Sequence, residues 1–392
     1  MRGVVSLASN SIGSSTGYGV QGWMLAERMV KHGLNVANLS NYGLEGAVSD
    51  IQTKFGKVKH YPKGHSPYSD DVLLHWHEDF RSRFQGIPDA IVTLYDVWVY
   101  NKLPVTDTPI FAWTPADHVT MPPNVLKFLL RRNVTPVAMS PHGKRQFEAA
   151  GLECEYVPHA VDTKVMKPTA EVYGVPVREY LGVSDESFLV GIFGANKANG
   201  MVHRKAFAEQ LLAFSMFRET HPDAVLYIHA EASAVFGGFN LGRLIKSVGL
   251  DDKSVIIANS DVLRTGYPAE VLAGFMSACD VVLAVSYGEG FGVPQVEAQA
   301  CGTRVIGSSW AASPDLLSDD CWMVAGQPFW DEPQGAFFQV PLVDSIVEAL
   351  KLAYAAPRGV SDVCVEFAKQ FDVDVVWNWY WLPFLRKHFA VE

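Results

Sequence analysis

DVVLAVSYGEGFGVPQVEAQACGTRVIGSSWAASP, residues 280–314, is the stretch from which the fold can be read. It opens with an unbroken apolar run, 281–285, of the kind that forms a strand covered on both faces of a parallel sheet. Gly288, Gly290 and Gly292 follow, a turn in which the backbone can come close to a ligand. Pro294 suits the first turn of a helix and Gly302 its end, after which a second strand is expected over 303–307. The unit is strand, loop, helix, strand. It sets Glu289 in the loop and Glu297 in the helix, both toward the carboxyl end of the sheet, where open α/β folds bind ligands.

These residue types suit a polyhydroxylated, phosphorylated ligand. A carboxylate can accept hydrogen bonds from two neighbouring hydroxyls, and charge-assisted bonds of this kind are strong. The helix start offers the amides of Phe291, Gly292 and Val293, with the positive end of the dipole, to a phosphate. Taken singly, Glu289 and Glu297 would be a solvated loop acid and an exposed helix acid. Their apolar, glycine-punctuated frame favours two acceptors for sugar hydroxyls beside one anion site.

Outward from this stretch, the 392 residues suit two domains, and 48 % hydrophobic with 19 % charged residues can fill two cores. A net charge of -10 and a pI near 5.6 argue against a broad nucleic-acid footprint. Five cysteines without a CxxC pair fit a reducing cytoplasm and no disulfide framework. The chain starts directly on an apolar strand, with neither a signal peptide nor a transmembrane segment expected.

Short apolar strands alternate with amphipathic segments, which predicts parallel sheets with helical crossovers. The first unit is a strand at 4–8, the loop NSIGSSTGYG, a helix over about 20–32 ended by Gly33, and a strand at 36–39. The loop, with Gly13, Gly17 and Gly19, is either a small-residue connector or a cradle for a diphosphate or sugar; it is not a GxGxxG fingerprint. Strands are expected at 72–76 and 91–94. The first would put His75 and His77 on one face, as cleft-lining residues or, lacking a third ligand at motif spacing, a poor zinc pair. Asp117 and His118 lie just past a strand at 110–113, either as a solvated pair or as groups that orient an acceptor or bond a sugar hydroxyl. A strand at 135–139 and a proline-rich, charged boundary at 163–185 complete the first half.

The second half opens with a strand at 188–193 and a helix whose buried face carries Phe207, Leu211, Leu212, Ala213, Phe214 and Phe217. Lys197, His203, Arg204 and Lys205 precede that helix, where cations oppose the dipole unless an anion joins them. Beyond residue 314, helices are expected at 342–354 and 360–371, and the aromatic WNWYWLPFLRKHF reads as a core helix. Asp372 and Asp374 read as structural.

The motif E-G-F-G-V-P-x-x-E-A-x-A-C-G-T-x-V-I-G resembles the signature of the retaining glycosyltransferase family 4, strongly over 150–315 and more weakly before. The resemblance implies a GT-B fold: two Rossmann-like α/β domains with parallel sheets facing across a deep cleft, and a C-terminal helix crossing back to the N-terminal domain. The implied domains are 1–165 with 372–392, reading the acceptor, and 166–371, holding the nucleotide-sugar donor. It also implies that Gly17 and Gly19 close over the donor, that Glu297 accepts ribose hydroxyls and Glu289 sugar hydroxyls, and that Lys205 stabilises the departing diphosphate. The family's phosphate-binding arginine falls on Asn196 and Lys197, or is replaced by Arg204. A functional histidine is implied near His118, beside Asp117, while His159 and Ala160 stand where the family has Asn and Gly. Residues 263–267 would form a loop against the nucleotide base.

The implied reaction is retaining sugar transfer without a metal or other cofactor, from a donor for which a UDP-sugar is favoured. The acceptor is open among a glycan, a lipid-linked glycan, a protein and a modified nucleobase, and a homo-oligomer is allowed. The competing readings are another GT-B-type enzyme such as a phosphorylase, and a non-catalytic nucleotide-sugar binder, which would be expected to lose the glutamate or lysine positions.

Overall fold

A computed structural model describes residues 2–43, 46–100, 102–198, 202–235 and 237–389. The chain divides into two compact units, Met1–Ala160 with Glu332–Ala336 and Val373–Glu392, and Val161–Asp331 with Phe337–Asp372.

The first unit runs β1 (Val4–Ser9), α1 (Gly17–Lys31), β2 (Asn35–Ser40), β3 (Ser49–Thr53), β4 (Gly56–Tyr61), α2 (Leu73–Arg81), β5 (Asp89–Leu94), β6 (Ile110–Thr114), α3 (Pro123–Leu129), β7 (Val134–Ala138), α4 (Pro141–Ala149) and β8 (Glu155–Tyr156). Among the described residues the sheet order is β3-β4-β2-β1-β5-β6-β7-β8, with only the edge strand β3 antiparallel to its neighbour. β1 is buried along its whole length, as a strand covered by helices on both faces must be. Thr16 caps α1 by accepting from the Gly19 amide, so Gly17 and Gly19 lie in the first turn of the helix and not in the loop expected to precede it.

The strand expected at 72–76 is a helix. Leu73, His77 and Phe80 recur at helical spacing and form the buried side of α2, and this period overrides the β-branched start of the segment. His77 is buried and bonds the Ser6 hydroxyl through Nδ1 at 2.8 Å and Asp89 through Nε2 at 2.9 Å, whereas His75 is exposed. The two histidines therefore do not share a face.

The second unit begins with a two-stranded ribbon, β9 (Glu171–Val172) and β10 (Val175–Pro176), and α5 (Val177–Leu181). It continues β11 (Phe188–Phe193), α6 (Phe207–Arg218), β12 (Ala224–His229), α7 (Leu241–Ser247), β13 (Val255–Ile257), α8 (Ser260–Thr265), α9 (Ala269–Ala278), β14 (Val281–Ala284), α10 (Val293–Ala300), β15 (Arg304–Ser308) and β16 (Trp322–Val324). A hairpin of β17 (Gly326–Asp331) and β18 (Ala336–Pro341) precedes α11 (Val343–Ala355) and α12 (Asp362–Ala368). Among the described residues the main sheet is parallel in the order β13-β12-β11-β14-β15-β16. Its core joins Val190, Ile192, Leu226 and Leu283 to Phe207, Leu211, Phe214 and Phe217 of α6. Leu212 turns outward and is 42 % exposed, a correction to the buried face expected of it, because it sits one step off the stripe set by Leu211 and Phe214. The loop expected at 263–267 begins inside α8, which Asn259 caps by accepting from the amides of Asp261 and Val262.

The C-terminal segment folds with the first unit as α13 (Val373–Val376), a wide turn over Trp377–Trp381, and α14 (Leu382–His388). Pro383 cannot donate to the helical ladder, and the Leu382 amide reaches back to the Trp377 carbonyl in a π-type bond. Trp381 meets Trp113 edge-on with ring centroids 4.9 Å apart, and Phe384 meets Phe111 at 4.8 Å. Trp381→Ala is expected to remove about 3–5 kcal/mol from this unit, measured as a shift of its guanidinium unfolding transition; a loss under about 1 kcal/mol would mean that the segment contributes little to this core. Among the described residues no helix is long and apolar enough to cross a membrane.

Candidate functional site

At the carboxyl end of the second unit's sheet, two loops converge from neighbouring strands. One leaves β11 and ends in Arg204, Lys205 and Ala206 before α6. Ala206 is fully buried and left-handed, with φ 50° and ψ 33°, an unusual conformation for a residue with a Cβ. The other loop leaves β14 and carries Gly288, Glu289 and Gly292 into α10. The Tyr287 amide donates to the Arg204 carbonyl at 2.8 Å, which ties the loops together.

The second loop is held from several sides. The Ser286 amide donates to Ser308 Oγ at 2.9 Å, the Ala312 amide to the Glu289 carbonyl at 3.1 Å, and the Tyr287 hydroxyl to Glu209 at 2.7 Å. Gly292, at φ 86°, is the N-cap of α10, and a Cβ there would stand 2.8 Å from the Gln295 side-chain amide nitrogen. Pro294 follows within the first turn, so the sequence folds here as its turn chemistry dictates.

Glu289 lies between two cations. Lys205 Nζ donates to its Oε1 at 2.6 Å and Arg204 Nη1 to its Oε2 at 3.1 Å, and Arg204 also bonds the Gly288 carbonyl. Burial raises the Glu289 carboxyl pKa, but Lys205 and Arg204 outweigh it and leave the group below the ordinary value of 4.5. Glu289 and Lys205 line a small pocket with Gly194, Gly292, Pro294 and Gln295.

Glu297 stands one turn inside α10, outside the lining of that pocket. Among the described residues its carboxyl makes neither a hydrogen bond nor an ion pair, and burial pushes it up to about 7. The two glutamates of the motif are therefore in opposite electrostatic states: one paired with cations, the other uncompensated.

The remaining expected residues separate into groups. Phe291 is buried edge-on to Phe371, and Val293 is the first residue of α10. Asn196 is buried, and its amide is committed to the backbone: Nδ2 donates to the carbonyls of Glu231 and Phe239, and Oδ1 accepts from the Phe239 amide. Lys197 is exposed, and His203 stacks on Phe239 with centroids 3.8 Å apart, so only Arg204 and Lys205 of the basic cluster reach Glu289. In the first unit, His118 Nδ1 lies 2.7 Å from Asp117 Oδ1. The His118 carbonyl bonds His142 Nε2 at 3.0 Å. There too, a Cβ on Gly19 would collide with the Ser14 carbonyl, whereas Gly17 has open space. Burial pushes His159 down to about 3, and its ring packs against Trp113.

One acidic group escaped the sequence reading. Glu231, just past β12, is buried and held below its ordinary pKa; burial opposes this, but bonds from Ser233 and the Arg264 guanidinium at 3.1 Å prevail. A lone acid after an apolar strand, in HAEAS, was the available signal, and Arg264 lay in the segment expected to be a loop.

The model of glycosyl transferases group 1 matches residues 209–332, which include both motif glutamates. A D-inositol 3-phosphate glycosyltransferase of Paenarthrobacter aurescens is 30 % identical over 166 residues, 42 % of this chain and 37 % of that protein, so the match spans well under half of the relative's length. Sucrose-phosphate synthase from Thermosynechococcus elongatus superposes over 99 % of both chains with a TM-score of 0.73 at 15 % identity. The fold is GT-B. A second structure, HepE from Anabaena in complex with UDP and glucose, covers 99 % of this chain and 100 % of its own, with a TM-score of 0.64 and 15 % identity. The two parallel sheets are thus the two Rossmann-like domains of GT-B, and the Glu289 site lies in the second of them.

Proposed function

We propose that the chain is a retaining glycosyltransferase of family 4 type, moving a sugar from a nucleoside-diphosphate sugar to an acceptor hydroxyl. The observation that carries this is the Lys205–Glu289–Arg204 cluster beside the start of α10. A diphosphate entering there meets two cations and a helix N-terminus, and it competes with Glu289 for both cations. As the cations turn to phosphate, Glu289 is released to accept bonds from sugar hydroxyls. When the bond from the anomeric carbon to the phosphate oxygen breaks, the negative charge gathers on the diphosphate, where Lys205 and Arg204 stabilise it. The acceptor hydroxyl attacks the same face and passes its proton to the departing phosphate oxygen, so the anomeric configuration is kept. The seven-residue interval between Glu289 and Glu297 supports the retaining class by resemblance. The neighbour bound to UDP and glucose supports a UDP-sugar donor.

Offered a panel of uridine, guanosine and adenosine diphosphate sugars, with water or simple polyols as acceptors, the chain is expected to release the matching nucleoside diphosphate. Anomer-resolved NMR of the product would report retention. No release from any donor, with no rise in melting temperature on adding nucleotides, would overturn the proposal.

Glu297 gives a test through pH. A carboxyl raised to about 7 is largely protonated at about pH 6 in the empty protein, whereas ribose hydroxyls donate to its ionised form. Binding of a nucleoside diphosphate below about pH 7 should therefore expel a proton from this group and tighten as pH rises, levelling off about one unit above. Calorimetry in buffers of different ionisation enthalpy reads that proton. Glu297→Gln should remove this part of the pH dependence, and identical proton release by parent and variant would refute the role.

A further inference from the structure

Two of the five cysteines are in contact, and they lie away from the cluster just described. Cys321 Sγ, in the turn before β16, is 3.8 Å from Cys364 Sγ, in the first turn of α12. The Ser318 hydroxyl lies 3.5 Å from the first sulfur and 3.3 Å from the second. The backbones that carry them are clamped together: Ser361 Oγ donates to Asp320 Oδ2 at 2.5 Å, and the Ser361 amide donates to the Gly302 carbonyl at 2.8 Å. Arg304 Nε holds the same Asp320 oxygen at 2.9 Å. Cys364 is fully buried, and Cys321 is half-buried, which gives a small solute a way in.

We propose that Cys321 and Cys364 form an oxidisable dithiol that closes into a disulfide, tying the turn before β16 to the first turn of α12. Two sulfurs 3.8 Å apart are already at van der Waals contact and have about 1.8 Å to close to the ~2.05 Å of an S–S bond. The contact also bears on the thiols' acidity. The hydrogen bond between the two thiols lowers the Cys364 pKa below the ordinary value of 9.0, which favours its thiolate. By contrast, burial first of all raises Cys154 to about 11 and Cys301 to about 12.

With hydrogen peroxide as the oxidant, one thiolate attacks a peroxide oxygen and expels hydroxide, giving a sulfenic acid. The second thiol displaces its oxygen as water and forms the S–S bond. In sum, two thiols and one peroxide give one disulfide and two waters.

The link would close a loop of 43 residues, so it should raise the melting temperature. After peroxide treatment of the full chain, alkylation under denaturing conditions should find two of its five thiols lost together. Mass spectrometry should find the 321 and 364 peptides joined, and the melting temperature should rise by roughly 5 °C or more, reversed by dithiothreitol. In Cys321→Ser or Cys364→Ser, the peptide link and the rise should be absent, and the remaining thiol should gain two oxygens. Full alkylation of both cysteines in treated parent protein, or linkage to a different cysteine, would overturn the proposal without recourse to the variants.

Discussion

Lys205→Ala is expected to lower the rate of sugar transfer by about 10³-fold, the order of loss seen when one preorganised donor to developing negative charge is removed. Lys205 holds Glu289 at 2.6 Å in the empty site and is the more compact of the two cations that a departing diphosphate would meet. Its side chain is 26 % exposed, and Arg204 still neutralises Glu289 after the change, so the variant should fold. Binding of the unphosphorylated nucleoside should be unaltered, whereas binding of the diphosphate should weaken by about tenfold, one charge-assisted bond's worth. Lys205→Arg should recover part of the rate, because it restores charge without the same reach. Nucleoside diphosphate release under single-turnover conditions measures the effect. A parent-like rate for Lys205→Ala would remove the lysine from the chemistry.

Glu289→Gln is expected to separate binding from transfer. The glutamine keeps the shape of the side chain but no longer neutralises Lys205 and Arg204, so a nucleoside diphosphate should bind at least as tightly as to the parent. Transfer should fall by about 10²-fold, because an amide oxygen is a weaker acceptor for sugar hydroxyls than a carboxylate. The parent pair also makes stability depend on pH. Its folded carboxyl lies below the ordinary 4.5, so the stabilisation is present above that value and is lost as pH falls through the folded one. Glu289→Gln should flatten that acid limb. Equal loss of nucleotide affinity and transfer would instead make Glu289 a structural brace for the two loops.

Much of the second unit could be read from its residues, because local chemistry and tertiary demand agree there. The run FLVGIF is buried on both faces, Pro294 and Gly302 bracket α10 as their backbone preferences require, and the apolar spacing of α6 fixes its buried stripe, Leu212 excepted. The first unit was harder. VLLHWHEDF has the composition of a strand and the period of a helix, and only packing of Leu73, His77 and Phe80 decides between them. At the site, the types and spacing of Glu289, Arg204 and Lys205 were visible, but their mutual pairing was not. It joins residues 84 and 85 positions apart through side-chain geometry that no local pattern encodes. The same holds for Asn196, whose amide is used up on backbone groups near residues 231 and 239.

The return of residues from Val373 onward to the first unit sets an order on biogenesis. A chain leaving the ribosome N-terminus first exposes Phe111 and Trp113 long before Phe384 and Trp381 exist to cover them. Between Ala160 and Val373 lie 212 residues (372 minus 160). At bacterial-to-eukaryotic elongation rates that interval is about 10 to 40 s. During it, the second unit can complete its own sheet while the first waits with an aromatic face uncovered, a window in which a holdase would find its substrate.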